Sequence, residues 1–243
     1  MKKTLCSIIL GLASLAHADY PMLFPLDTSV IAAEPELPER TSVLSENKDC
    51  EKIDLMFLVD TSASMSGLID DVRYYILNII TNLASKYEDV RFAVSIVEDH
   101  PTYPYGTITD LPYALVHDFS YDTNQIEKVV LSLRTNYGGD LSESYAYALR
   151  STSNEDNWRD NAKRFIVLFA DSDDRDDMSL QEAVYDNNAT VLGVVANPVY
   201  WRNKLRSTSR IGGNIDNVMN EIYSSCNPFI CNIKSNTKFK SSI

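Results

Sequence analysis

Positive charge is scarce in this 243-residue chain: 22 Lys and Arg stand against 34 Asp and Glu, a net charge of −12. That is the wrong sign for gripping phosphate backbones, so nucleic acid and anionic membrane are not expected partners. Histidine is rarer still, at three residues. Neither His100 nor His117 stands near a Gly-x-Ser-x-Gly elbow, which argues against a Ser-His-Asp hydrolase, and there is no P-loop. Long apolar runs are missing as well. The stretch from Leu5 to Leu15 falls short of the roughly 20 residues a spanning helix needs, and no later segment is longer or more apolar, so no membrane insertion is expected. What the chain does have is ordinary core material, 44% hydrophobic against 23% charged residues, enough to build one sizeable domain.

Lys2 and Lys3, the apolar run after them, and Ala16-His17-Ala18 form the pattern of a secretory signal peptide over residues 1–18, with cleavage expected after Ala18 and a secreted, extracellular product. Cleavage would take away Lys2 and Lys3 but no acid, moving the net charge from −12 to −14. Cys6 would leave too, so Cys50, Cys226 and Cys231 remain, a count that in an oxidising compartment implies one bridge and one leftover thiol. Cys50 precedes the first apolar strand and Cys226 ends the last helical pattern, so a bridge between them would tie the two ends of one domain together. Cys231 is the alternative to Cys226. The leftover thiol is either buried or pairs between chains, giving a disulfide-linked dimer. Asn188-Ala189-Thr190 is a glycosylation sequon.

Residues 19–49 contain Pro21, Pro25, Pro35 and Pro38 and little periodicity, the composition of an extended arm or linker. From there apolar strands and amphipathic helices take turns. Ile53 to Val59 and Arg164 to Ala170 are near-continuous apolar runs, suited to strands buried on both faces of a parallel sheet. Further strands are expected at Arg91 to Val97, Tyr113 to Phe119 and Thr190 to Ala196. Helices are expected from Leu68 to Lys86, Thr123 to Leu133, Ser142 to Leu149, Met178 to Asn187 and Asn214 to Ser225. The alternation predicts an α/β fold, a doubly wound, mostly parallel central sheet flanked by helices, in one domain over residues 50–231 with a tail at 232–243.

In such sheets ligands bind beyond the carboxyl ends of the strands. Asp60-Thr61-Ser62-Ala63-Ser64 follows the first buried strand and puts a carboxylate and two hydroxyls at alternate positions of a tight turn. Asp171 follows the second buried strand and opens the run Asp171-Ser172-Asp173-Asp174-Arg175-Asp176-Asp177. Carboxylates and hydroxyls without nitrogen or sulfur make a hard-oxygen set, suited to Mg²⁺, Mn²⁺ or Ca²⁺ and unsuited to Zn²⁺ or copper. In the acidic run, Asp174, Asp176 and Asp177 are expected to form a solvated loop held apart by Arg175, whereas Asp173 could hold a metal-bound water. Tyr74, Tyr75, Trp158 and Trp201 are expected in the core and between helices rather than on a ligand platform.

Asp60-x-Ser62-x-Ser64 after a first strand resembles the metal-ion-dependent adhesion site of von Willebrand factor type A domains, and the resemblance extends from Cys50 to about Cys226. It implies a Rossmann-like fold and metal ligands at Asp60, Ser62, Ser64 and Asp171, the last matching the family's Thr-Asp-Gly aspartate with Ala170 and Ser172 as departures. A further ligand would come from Tyr137-Gly138-Gly139-Asp140-Leu141-Ser142-Glu143. This stretch resembles both the Gly-Asp-Leu-Thr loop of integrin α-subunit inserted domains, which points to Ser142, and the Asp-x-Pro-Glu loop of integrin β subunits, which points to Glu143. Asp140, Glu143 and Asp173 are thus supporting or alternative ligands. Asp70 and Asp71 sit three residues too late for the β subunit's adjacent metal site, so no second metal is expected.

The resemblance implies a binding module: an ion held by hydroxyls, waters and few carboxylates would take a Glu or Asp carboxylate from a partner protein. A haloacid dehalogenase-type phosphatase would need an aspartate where Ser62 stands, so no enzyme is expected. Assembly of an extracellular matrix or surface through the leftover cysteine is the alternative.

Overall fold

The computed structural model describes residues 52–136, 142–175 and 177–226. The leader, the arm, Cys50, the loop of Gly138, Gly139 and Asp140, Asp176, Cys231 and the tail lie outside the described residues. Six strands form one sheet in the order β3-β2-β1-β4-β5-β6. They are β1 (Ile53–Asp60), β2 (Val90–Val97), β3 (Ala114–Ser120), β4 (Lys163–Ala170), β5 (Thr190–Val195) and β6 (Ser207–Arg210). All pairs are parallel except β2 with β3, so the expected doubly wound, mostly parallel α/β fold is what forms.

β1 sits at the centre, and all eight of its residues are buried. Its side chains alternate between faces, as the pleat requires. Leu55, Phe57 and Val59 pack with α1 (Ile69–Lys86), α2 (Thr123–Ser132) and α6 (Asp216–Ser225), while Met56 and Leu58 pack with α3 (Tyr145–Ser153) and α4 (Asp177–Tyr185). A near-continuous apolar run is needed because both faces are covered. α1 buries Val72, Tyr75, Ile76, Ile79, Ile80 and Leu83 at helical spacing. α2 begins at Asp122, whose carboxylate accepts the N–H groups of Asn124 and Gln125.

Several details differ from the sequence reading. α3 starts at Tyr145 rather than Ser142, because Glu143 forms a parallel bridge with Asp174 ahead of the helix. β6 and the short α5 (Pro198–Trp201) were not expected. β6 has the polar sequence Ser-Thr-Ser-Arg, which carries no hydrophobic signal, and its place depends on backbone pairing to β5. Tyr74 is exposed, unlike the buried Tyr75, Trp158 and Trp201. Cys226 caps α6 and is disulfide-bonded, to a partner outside the described residues. Asn188 is exposed in the turn between α4 and β5.

Candidate cation site at the strand ends

The chain order reverses between β1 and β4, which lie side by side in register from Ile53 and Lys163 to Val59 and Phe169. Their carboxyl ends therefore open together at the switch point of the sheet. Asp60 is the last residue of β1 and is fully buried. Its Oδ1 accepts the Ser62 N–H at 2.8 Å, which folds the turn back over the strand end. Ser62 Oγ lies 2.9 Å from Ser64 Oγ, and Ser64 Oγ donates to Asp171 Oδ1 at 3.0 Å across from the end of β4. Asp60, Ser62, Ser64 and Asp171 are thus brought together as expected.

The loop residues divide. Glu143 is buried, and its Oε2 has no hydrogen-bond partner among the described residues. Its backbone is pinned from both sides, the N–H donating to Asp173 O at 3.4 Å and the carbonyl accepting the Arg175 N–H at 3.2 Å. Ser142 is half-buried, and its carbonyl accepts Arg175 Nη2 at 2.6 Å. Asp173 is exposed. Asp174 is a correction to the expected solvated run: it is buried, its Oδ1 accepts the Ala146 N–H at 2.9 Å, and its own N–H donates to Tyr200 Oη. It serves the first turn of α3, where free N–H groups need acceptors. Arg175 does not hold the acids apart from outside; it is bonded inward, to Asp99 and to Ser142. Asp70 and Asp71 are exposed on α1, as expected.

Sequence reasoning missed Tyr145. Its ring is buried, its Oη donates to Asp60 Oδ2 at 2.5 Å, and the same oxygen lies 2.9 Å from Ser172 Oγ. Nothing in its neighbours marks it, because the contact spans 85 residues. Thr61 was also passed over; its hydroxyl donates to Glu98 Oε1 at 3.0 Å.

The electrostatics follow from burial without a counter-charge among the described residues. Asp60 is held well above the usual carboxylate range, first by desolvation and also by the charge of Asp171, against hydrogen bonds from Tyr145 and Ser62 that pull it down. Glu143 is raised in the same way, by desolvation and then by the charges of Asp60 and Asp99. Asp171 is raised by desolvation. Among the described residues, no group of three or more His, Cys, Asp or Glu side chains stands in metal-holding arrangement. What converges here is instead a mixed set of hydroxyls and carboxylates. That chemistry fits a hard divalent ion, and the unpartnered buried Glu143 Oε2 is an oxygen such an ion could satisfy.

The von Willebrand factor type A domain family matches residues 54–225. The chain belongs to this family. The match runs from the second residue of β1 to the last of α6, the whole described sheet with its helices. Type A domains are generally protein-interaction modules, and they often bind a divalent metal. No curated protein matches the chain.

Proposed function

We propose that this type A domain is a secreted binding module, not an enzyme. A divalent cation, Mg²⁺ or alternatively Mn²⁺ or Ca²⁺, would be held by Asp60, Ser62, Ser64 and Asp171, with Glu143 or Ser142 from the loop. When bound, the ion supplies a Lewis-acid position for a Glu or Asp carboxylate of a partner protein. The observation that carries the reading is the chain of contacts from Ser62 through Ser64 to Asp171 across two strand ends. Among the described residues, these side chains and Asp60 bond to one another, to the Ser62 amide, to Tyr145 and, from Ser62, to Glu143, and to no lysine or arginine. A solvated capping turn would not need a fully buried aspartate facing a second carboxylate without a cation.

Two features support Glu143 over Ser142 as the loop ligand: its buried, unpartnered Oε2 and the backbone bridge that fixes its place. Against catalysis, neither histidine contributes, His117 being half-buried on β3 and His100 packing edge-on against Tyr147. Secretion is supported by Lys2, Lys3 and the apolar run before Ala18. The disulfide of Cys226 is assigned to Cys50, which would tie the domain's ends together and leave Cys231 for pairing between chains.

Calorimetry with Mg²⁺ tests the site. Wild type is expected to bind and Asp60→Ala is not; equal heats from both would remove the assignment. Glu143→Gln is expected to weaken Mg²⁺ binding about tenfold or more, and Ser142→Ala by about twofold or less. The reverse order would move the ligand to Ser142. Mg²⁺-dependent phosphatase turnover abolished by Asp60→Asn would overturn the binding reading in favour of an enzyme.

A further inference from the structure

We propose that Tyr145 is a positioning residue of the cation site, its phenol fixing the plane of the Asp60 carboxylate that a divalent ion meets. The inference rests on the cation-site reading above and adds a residue to it that the Asp-x-Ser-x-Ser pattern does not contain.

A buried aspartate has broad freedom about its last side-chain torsion, so one donor on one oxygen leaves the carboxylate plane loosely set. Here two donors act on different oxygens. The Ser62 N–H holds Oδ1 at 2.8 Å and the Tyr145 O–H holds Oδ2 at 2.5 Å. The Ser62 donor belongs to the same turn as Asp60, whereas Tyr145 comes from α3 on the other side of the sheet end. Its ring is immobilised edge-on against Trp201, with centroids 5.4 Å apart and planes at 72°. Its backbone directly follows the segment in which Glu143 bridges Asp174. The contact with Ser172 Oγ, one residue past Asp171, ties the same phenol to the end of β4. One side chain therefore links the three pieces of chain that bring the proposed ligands: the β1 turn, the β4 end and the segment entering α3.

Packing alone does not account for the hydroxyl. A phenylalanine would fill the space against Trp201, while a buried phenol O–H has to find a partner. The partner it has is the aspartate at the centre of the site. Groups that orient metal ligands in this way commonly change metal affinity by 10–100-fold when removed.

The test is calorimetry with Mg²⁺ alone on wild type and Tyr145→Phe, run below both melting temperatures, together with Mg²⁺-minus-EDTA difference infrared spectra of the carboxylate bands. Asp60→Asn identifies which band belongs to Asp60. The expected result is about tenfold weaker Mg²⁺ binding by Tyr145→Phe and a shifted Asp60 band. A merely structural tyrosine would lower the melting temperature in EDTA and leave both readouts unmoved. Affinity within twofold of wild type with an unchanged band overturns the inference while leaving the site reading intact. A wild type that takes up no Mg²⁺ overturns both. Should Tyr145→Phe not melt cooperatively, Ser172→Ala decides, since it keeps the ring and removes the other partner of the phenol: weaker Mg²⁺ binding supports the inference, and wild-type affinity overturns it.

Discussion

Asp54 and Asp60 stand six residues apart on β1, both fully buried, one at each end of the strand. They face opposite surroundings. Asp54 is gripped by two arginines: Arg91 donates from Nε at 3.0 Å and from Nη2 at 2.7 Å, and Arg159 from Nε and its backbone N–H, each at 2.9 Å. Desolvation pushes its carboxyl up, but the hydrogen bonds and charges of Arg91 and Arg159 more than offset it and hold the carboxyl below its ordinary value. Asp60 suffers the same desolvation, has among the described residues only a phenol and a serine to ease it, faces Asp171, and is held above. The same residue type on the same strand, equally buried, is thus stabilising at one end and poised at the other. A buried carboxylate with no lysine or arginine bonded to it among the described residues marks an end of the sheet that is arranged for something other than stability.

The largest expected effect is at the satisfied end. Asp54→Asn removes the charge that two partly buried guanidiniums share, and is expected to lower the unfolding free energy by about 3 kcal/mol in urea titration. A loss below about 1 kcal/mol would erase the contrast. The pH dependence separates the ends further. A carboxyl whose folded pKa lies below its unfolded value stabilises the fold at every pH above that unfolded value, 3.8 for aspartate. The contribution disappears as acid carries the pH down through the folded pKa. Asp54→Asn should therefore flatten the acid limb of the stability curve below about pH 4. Asp60 and Glu143 have the opposite sign. With folded values above unfolded ones, their contribution is complete below the unfolded pKa and is lost as pH rises through the raised values. In EDTA, stability is thus expected to decline from mildly acidic toward mildly alkaline pH, and saturating Mg²⁺ to remove that decline. An alkaline limb indifferent to Mg²⁺ would break the comparison.

A smaller effect is expected from Asp60→Asn. In EDTA it relieves an uncompensated buried charge and should stabilise the fold by about 1 kcal/mol, while abolishing the rise in melting temperature that Mg²⁺ produces in wild type. The amide can still accept the Ser62 N–H, and its NH₂ can donate to the Tyr145 oxygen. Destabilisation in EDTA comparable to that of Asp54→Asn would show the two ends to be equivalent.

How much of this was legible in the sequence follows from the range of the interactions. The Ile53 to Val59 and Arg164 to Ala170 runs announce buried central strands, because a strand covered on both faces has to be apolar throughout. Asp60, Ser62 and Ser64 were readable because their geometry is local, one turn after a strand. Asp171 was readable because it ends the neighbouring strand. Asp174 and Tyr145 were not, since what they do depends on contacts 28 and 85 residues away. The local pattern around Asp174, acids interrupted by Arg175, describes a solvated loop equally well. β6 was invisible because a four-residue polar strand at a sheet edge is held by its backbone. The resemblance to integrin loops narrowed the further ligand to Ser142 or Glu143, and what favours Glu143, the burial of its Oε2 and its backbone bridge to Asp174, is visible only in the fold.

The smallest effect sharpens the comparison most cheaply. Asp70, on the first turn of α1, also has an arginine partner, Arg73, yet its side chain is 90% exposed. If pairing alone made Asp54 stabilising, Asp70→Asn would cost a recognisable share of what Asp54→Asn costs. An exposed carboxylate and its partner are screened by solvent and give up side-chain freedom to meet, so their pairing contributes little. Asp70→Asn is therefore expected to leave the urea midpoint within the spread of replicate curves and the Mg²⁺ affinity unchanged. A midpoint shift approaching that of Asp54→Asn would mean that pairing, not burial with pairing, separates the two ends of β1. The raised carboxyl of Asp60 would then reflect a missing arginine and nothing about a cation.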